Sequence, residues 1–217
     1  MVRRDVVSHP SVEICPQCRQ AFKNIAQHWQ THSFCNHPSY TEAQKATTIC
    51  LLIYRGYLQQ SGGNSNASLV CFFEDQSLTE ELFGIYGPLA RSVQYIDGVE
   101  FFGQPIRRSY ALFIRPHPYL TRASEGWGTG RSKLNPDPSQ ITDTSDRIYA
   151  LLYRLVGYRG FDGHEWPVFD CSQLDVQPYF LRELLSKYDS FVATDTYSKV
   201  VLKNSVSFFE DIEKVQI

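Results

Sequence analysis

This sequence predicts an α+β fold made of two copies of one plan, each helix–strand–strand–helix–strand–strand–helix, behind a small module rich in cysteine and histidine. Three observations predict it. A long apolar helix running into a glycine opens the first copy within Gln44–Leu58 (QKATTICLLIYRGYL), and a second apolar helix, Asp146–Val156, opens the other. Behind each helix the same order of strand-like runs, turn residues and a shorter helix returns, an internal repeat of structure rather than of identity. Ahead of both stands Cys15-Pro-Gln-Cys18, followed by His28, His32, Cys35 and His37.

The module spans residues 11–38. Cys-x-x-Cys is a knuckle that directs two thiolates at one ion, and a helix through Phe22–His32 puts His28 and His32 on one face. The stretch from Cys18 to His28 is shorter than the ~12 residues of groove-reading zinc fingers, which argues against a groove-reading helix, and four soft ligands with no carboxylate among them point to a structural zinc site. Cys15, Cys18 and His28 are ligands, and Cys35 and His32 compete for the fourth place. The first copy spans 41–127: helix Glu42–Arg55, strand Tyr57–Gln60, turn Ser61–Asn66 and strand Ala67–Phe73 come first. Helix Leu78–Tyr86, strands Ser92–Ile96 and Ser109–Ile114, and a helix from His117 to about Gly126 complete it. Residues 128–141, rich in Gly, Ser, Asn and Pro, read as a linker. The second copy, 142–217, runs through helix Asp146–Val156, a turn at Gly157–Gly163, strand Trp166–Cys171 and helix Gln177–Tyr188. Strands Ser190–Thr194 and Lys199–Lys203 and helix Ser205–Glu213 end it.

Bulk properties narrow the class. Hydrophobic content of 42% with 14% aromatics is that of a folded chain rather than a disordered one. A net charge of −2 and a pI near 6.3 give no overall basic footprint for nucleic acid, so any such contact must be local. The sequence has no apolar run of membrane-spanning length, and MVRRDVVSHP lacks the apolar core of a signal peptide. The expected location is intracellular, cytoplasmic or nucleoid-associated, with thiols reduced or metal-bound.

Four stretches carry a family resemblance. QKATTICLLIYRGYL resembles the signature helix of LAGLIDADG homing endonucleases, and ITDTSDRIYALLYRLVGYRG occupies the place of the second. IYGPLARSVQYI and SYALFIRPHPYLTRASEGWGTGRSKLNPD resemble the family's links between the second helix and third strand and beyond the fourth strand. The resemblance implies a single-chain, pseudo-twofold monomer of two αββαββα repeats, intron- or intein-associated, with double-stranded DNA as partner and no membrane. A similar C-P-x-C…H-W…C segment precedes the first signature helix in some archaeal members, which favours Cys35 over His32 as the fourth zinc ligand.

The departure lies in the chemistry. In that family an acid just before the helix-ending glycine holds a Mg²⁺-type ion. Here Arg55 stands at that position, and in the second repeat the position aligns with Tyr153 or Arg159. A cation repels a divalent ion by about 4 kcal/mol per unit charge at ~4 Å in an effective dielectric of ~20, yet attracts phosphate. The expectation is therefore DNA binding without cleavage. The alternatives are a Mg²⁺-dependent endonuclease using another acid, such as Asp162, and an eroded fold serving as a protein-interaction module. Candidate DNA contacts are Gln59, Gln60, Asn64 and Asn66 on the first hairpin, with Arg55, Arg107, Arg108, Arg115, Lys133, Lys199 and Lys203. Asp162, Glu165, Asp170 and Asp175 oppose them in the second repeat.

Overall fold

The computed structural model describes residues 2–8, 11–15, 17–31, 35–62, 65–101, 104–129, 146–194 and 198–215. The order begins β1 (Val2–Ser8), β2 (Glu13–Ile14), β3 (Ala21–Phe22) and α1 (Ile25–Thr31). The first repeat follows as α2 (Glu42–Tyr54), β4 (Tyr57–Gln59), β5 (Ser68–Phe73), α3 (Gln76–Tyr86), β6 (Ala90–Phe101), β7 (Gln104–Ile114) and α4 (Pro118–Trp127). The second is α5 (Asp146–Val156), β8 (Gly157–Phe161), β9 (His164–Asp170), α6 (Pro178–Leu184), β10 (Ser190–Thr194), β11 (Ser198–Leu202) and α7 (Ser205–Glu213). Both repeats are αββαββα, as the sequence predicts.

Two compact units result: Met1–Tyr40 with Gly56–Lys133, and Thr41–Arg55 with Leu134–Ile217. The first holds an antiparallel sheet in the order β1-β6-β7-β5-β4. Leu69, Cys71, Val93 and Leu112 lie on one face of it and are fully buried, and α3 packs against β6 and β7. Asp75 starts α3 by accepting from the Leu78 N–H at 3.1 Å, and Gly87 (φ 52) ends it.

The second unit joins α2 and α5 to an antiparallel sheet in the order β10-β11-β9-β8. A capping box fixes the start of α2: the Gln44 N–H donates to Thr41 Oγ1 at 3.2 Å, and the Thr41 N–H donates to Gln44 Oε1 at 3.0 Å. From Ala46 onward α2 buries nearly every residue, Ile49 alone excepted, so it lies inside the fold rather than on its surface. The Thr47 and Thr48 hydroxyls donate to the carbonyls of Ala43 and Gln44, both at 2.8 Å, which lets them sit among apolar neighbours.

Several elements differ from the sequence reading. Gly157–Phe161 is a strand, not part of a turn, and the turn shrinks to Asp162 (φ 49) and Gly163 (φ 77), the left-handed pair of a tight hairpin. Two glycines in GYRGF hide a strand that its ladder with β9 creates. β1 escapes the sequence reading because charged residues interrupt its apolar pattern; it pairs along β6 with a bulge between Asp5 and Val7. β6 and β7 extend well past the predicted spans, through Asp97 and Arg108, which pair across the ladder. α1 is shorter than expected, and α6 stops at Leu184, followed by a 3-10 turn at Ser186–Tyr188. Most of the linker lies outside the described residues.

The junction of α5 with β8 leaves no room for a side chain. A Cβ on Gly157 would overlap the Tyr153 ring and its backbone carbonyl oxygen. Gly157→Ala is therefore expected to cost about 2–3 kcal/mol, read as a lowered denaturant midpoint, whereas Gly126→Ala, where a Cβ meets open space, should not.

Candidate functional site

The metal centre starts from a tight hairpin. Between β2 and β3 the Arg19 N–H donates to the Cys15 carbonyl at 2.8 Å and the Cys15 N–H to Gln20 O at 2.9 Å, with Arg19 at φ 59. This turn presents Cys15 and Cys18 together. α1 brings His28, and the chain after it brings Cys35, so the four ligand atoms lie within 4.8 Å of one another. A tetrahedron with arms of 2.0–2.3 Å has edges of roughly 3.3–3.8 Å, so a small contraction closes the set on an ion. Phe22 stacks on His28 at 3.7 Å and 13°, holding the imidazole with Nε2 3.5 Å from Cys18 Sγ. His32, the competing ligand, lies outside the described residues.

The thiol chemistry fits a cation. Burial works to raise the Cys15 thiol, but the N–H groups of Cys18 and Gln17, with Trp29 and His28, outweigh it and bring it down to about 6. Burial, then the sulfurs of Cys18 and Cys15, push Cys35 up to about 11. Three sulfurs this close become thiolates together only around a positive ion. Three sulfurs and an imidazole, buried except at Cys18, form a set that could hold a metal ion such as zinc.

Arg115, expected to meet DNA, instead fastens this module to the first sheet. Only 7% exposed, it donates through Nε to Pro88 O at 3.1 Å and Ala90 O at 2.9 Å, and its Nη2 pairs with Glu13 on β2. Asn66 is likewise turned inward: it donates to His37 Nε2 at 3.4 Å and accepts from Thr121 Oγ1 at 3.2 Å. His117 donates from Nε2 to Pro38 O at 2.9 Å and accepts the Tyr119 N–H at Nδ1. Burial lowers its pKa to about 4, so it is neutral at pH 7.

Other candidates are scattered. Gln60 donates to Ser65 O at 2.7 Å and serves the hairpin turn, while Gln59 is exposed and reaches the Tyr57 hydroxyl. Lys203 is exposed and Lys199 half-buried. Asn64 and Lys133, and the side chains of Arg107 and Arg108 on β7, lie outside what is described.

The helix ends differ from the sequence alignment. α2 ends at Tyr54, followed by Arg55-Gly56 and a strand; α5 ends at Val156, followed directly by Gly157 and a strand. Matching the Gly-Tyr pairs Gly56-Tyr57 and Gly157-Tyr158 sets Val156 opposite Arg55, an alignment that stands beside those with Tyr153 and Arg159. Tyr153 sits a turn before the helix end, ringed by Phe169, Phe208 and Phe209. The Arg159 guanidinium lies 3.9 Å over the Phe209 ring and near the Tyr153 hydroxyl, on the helix-covered side of the sheet. Asp162 is the hairpin turn residue, about 16 Å along β8 from Gly157. An acidic residue, Asp175, meets the end of α2 through its backbone, its N–H donating to Ile53 O at 3.1 Å and Tyr54 O at 2.9 Å.

No protein-family model and no curated protein matches the sequence. Among solved structures, the homing endonuclease I-WcaI bound to its DNA recognition sequence is similar, with a TM-score of 0.63 at 10% identity over 87% of this chain and 85% of that one. I-DmoI in complex with DNA and Mn matches at 0.47 and 11% identity over 81% and 99% of the two chains. The first likeness shows that this chain has the LAGLIDADG homing-endonuclease fold. Among the described residues no helix is long and apolar enough to cross a membrane.

Removing bound metal with a chelator is expected to open the module and expose Trp29, now 3% exposed. A red shift of tryptophan emission, absent in Trp29→Phe, checks this. Glu13→Ala should strand the buried Arg115 guanidinium and cost about 3–5 kcal/mol in equilibrium unfolding, with the Glu13→Leu/Arg115→Met pair recovering much of the loss.

Proposed function

We propose that this chain binds double-stranded DNA through a homing-endonuclease fold from which the helix-end metal chemistry has been lost. The observation that carries the reading is the pair of helix ends. Arg55-Gly56 and Val156-Gly157 stand where carboxylates would have to hold a divalent ion, and a guanidinium and an isopropyl group do not fit one. No hydrolytic step is therefore assigned. The fold likeness to a DNA-bound endonuclease supports DNA as partner. Gln59 and Arg55, with Arg107 and Arg108 on β7, are the residues proposed to meet bases or phosphates.

The three sulfurs and His28 are proposed to hold zinc in a structural role within a module of residues 11–38. Two repeats in one chain, 41–127 and 142–217 joined by 128–141, make a monomer the proposed working unit. A DNA partner places it inside the cell. One observation favours a second reading: the Asp175 backbone amide meets the Ile53 and Tyr54 carbonyls, so an acidic residue stands at the end of α2.

The deciding measurement is selection from random duplex DNA with and without Mg²⁺, at two salt concentrations, scoring enrichment and nicks together. A selected site of about 20 base pairs without nicking is expected, with affinity falling steeply with salt, by ~0.9 in log–log slope per phosphate contact. Mg²⁺-dependent nicking that Asp175→Asn abolishes and Asp162→Asn does not would establish the second reading. No retention at low salt would reject both.

A further inference from the structure

The two faces of the second unit's sheet have different chemistry. Ladder register puts Arg159, Pro167, Phe169 and Val200 on one face, and there Phe169 and Arg159 meet Phe208 and Phe209 of α7. The opposite face carries Tyr158, paired with Val168, and Phe191, paired with Val201. Trp166 lies two residues before Val168 on that face, and Lys203 follows the end of β11 with its Nζ 5.4 Å from the Phe191 ring centre. Phe161 and Trp166 meet Phe191 edge-on, at 5.8 and 6.3 Å, and His164 stacks flat on Trp166 at 4.2 Å and 10°.

These rings are not sealed. Tyr158 is 40% exposed, His164 and Lys203 are exposed, and Phe161, Trp166 and Phe191 are half-buried. By the same register Lys199 and Asp170 share this face and stand opposite each other, which leaves Lys203 as the cation beside the rings. Glu165, at an odd position of β9, lies on the helix side near Tyr153, and the Asp170 carboxylate accepts the Ser172 N–H at 2.9 Å. Accessible π faces beside a lysine are the elements with which proteins hold unpaired bases and the phosphates between them. A duplex hides its base faces, so this surface suits a strand whose bases are free.

We propose that this face binds single-stranded DNA, with bases stacked on Trp166, Phe191 and Tyr158 and a phosphate at Lys203. The choice of DNA as the polymer rests on the proposed function; the stacking does not. The full-length, metal-loaded protein is titrated with an oligo-dT strand of about 12 nucleotides. Parallel arms use an abasic strand of equal length, an oligo-U strand, and duplex DNA. The expected result is quenching of Trp166, the most accessible tryptophan beside Trp29 and Trp127 at 3% and 7% exposure, with binding at least about tenfold tighter than to the abasic strand. Trp166→Leu and Phe191→Leu should each weaken that binding by about fivefold or more with the circular-dichroism spectrum of the folded protein retained, while Trp166→Phe retains most of it. Lys203→Gln should lower the salt slope by ~0.7.

Equal binding of abasic and base-bearing strands, or Trp166→Leu binding like the parent, overturns the site. Tighter binding of oligo-U overturns the choice of DNA. Duplex binding without single-strand binding rejects this surface and leaves the duplex reading standing; the reverse result does the opposite.

Discussion

Helix α2 is enclosed almost throughout, and much of the chemistry of the second unit follows from that constraint. Leu51, Leu52, Ile53 and Cys50 are all within 1% of complete burial, and Thr48 is buried with them. A helix enclosed in this way cannot leave its last carbonyls to water, because each buried, unpartnered carbonyl costs on the order of 1–3 kcal/mol. The chain closes the end itself: the Arg55 N–H turns back to Leu51 O, and the Asp175 N–H serves Ile53 and Tyr54. Small residues at Ala46 and Cys50, and Ala150 on α5, suit the close packing of α2 and α5.

That closure bears on the identity of residue 55. The C-terminus of a helix carries partial negative charge, so a carboxylate there is unfavourable unless a metal ion compensates, and a cation is favourable by about 0.3–1 kcal/mol. An arginine at the end of α2 agrees with the helix dipole without any metal. At the end of α5 the requirement is steric: Gly157 must lack a side chain for Tyr153 to pack, and Val156 is 5% exposed, an apolar residue in an apolar place. Residues 55 and 156 are thus accounted for by the helix dipole and by packing.

The sequence makes legible what depends on local pattern. Helical spacing in α2 and α5, the capping residues and the order of elements follow from residues close together in the chain, and so does the Cys-x-x-Cys knuckle. Features whose cause lies far away stay hidden. Arg115 reads as surface charge because Glu13, Pro88 and Ala90, its partners, are all distant in sequence. Asn66 reads as a hairpin side chain until Thr121 and His37 are brought to it. Arg159 shares a Tyr-Arg-Gly triplet with Arg55, but strand alternation, not the triplet, decides that it faces α7. β8 is hidden for a related reason, since its glycines are tolerated only because β9 supplies the ladder.

The metal centre and the first sheet are energetically one object. Burying a guanidinium is costly unless a carboxylate meets it, and Glu13 meets Arg115 only because the β2–β3 hairpin holds it there. That hairpin spans the turn bearing Cys15 and Cys18, so closing the ligand set fixes the position of Glu13. At the other end of the module the Pro38 carbonyl receives the His117 imidazole and His37 receives Asn66, tying the segment after Cys35 to the starts of α4 and β5. Free energy of binding an ion at this set would therefore spread into the β7–α4 corner, as linkage requires for a ligand that binds the folded chain alone. The exposure of Val12 at 44% and Ile14 at 68% on the same hairpin shows that the module is not held by an apolar core of its own there. Its small cluster of Cys15, Ile25, Trp29 and Cys35 depends on the ligands it surrounds.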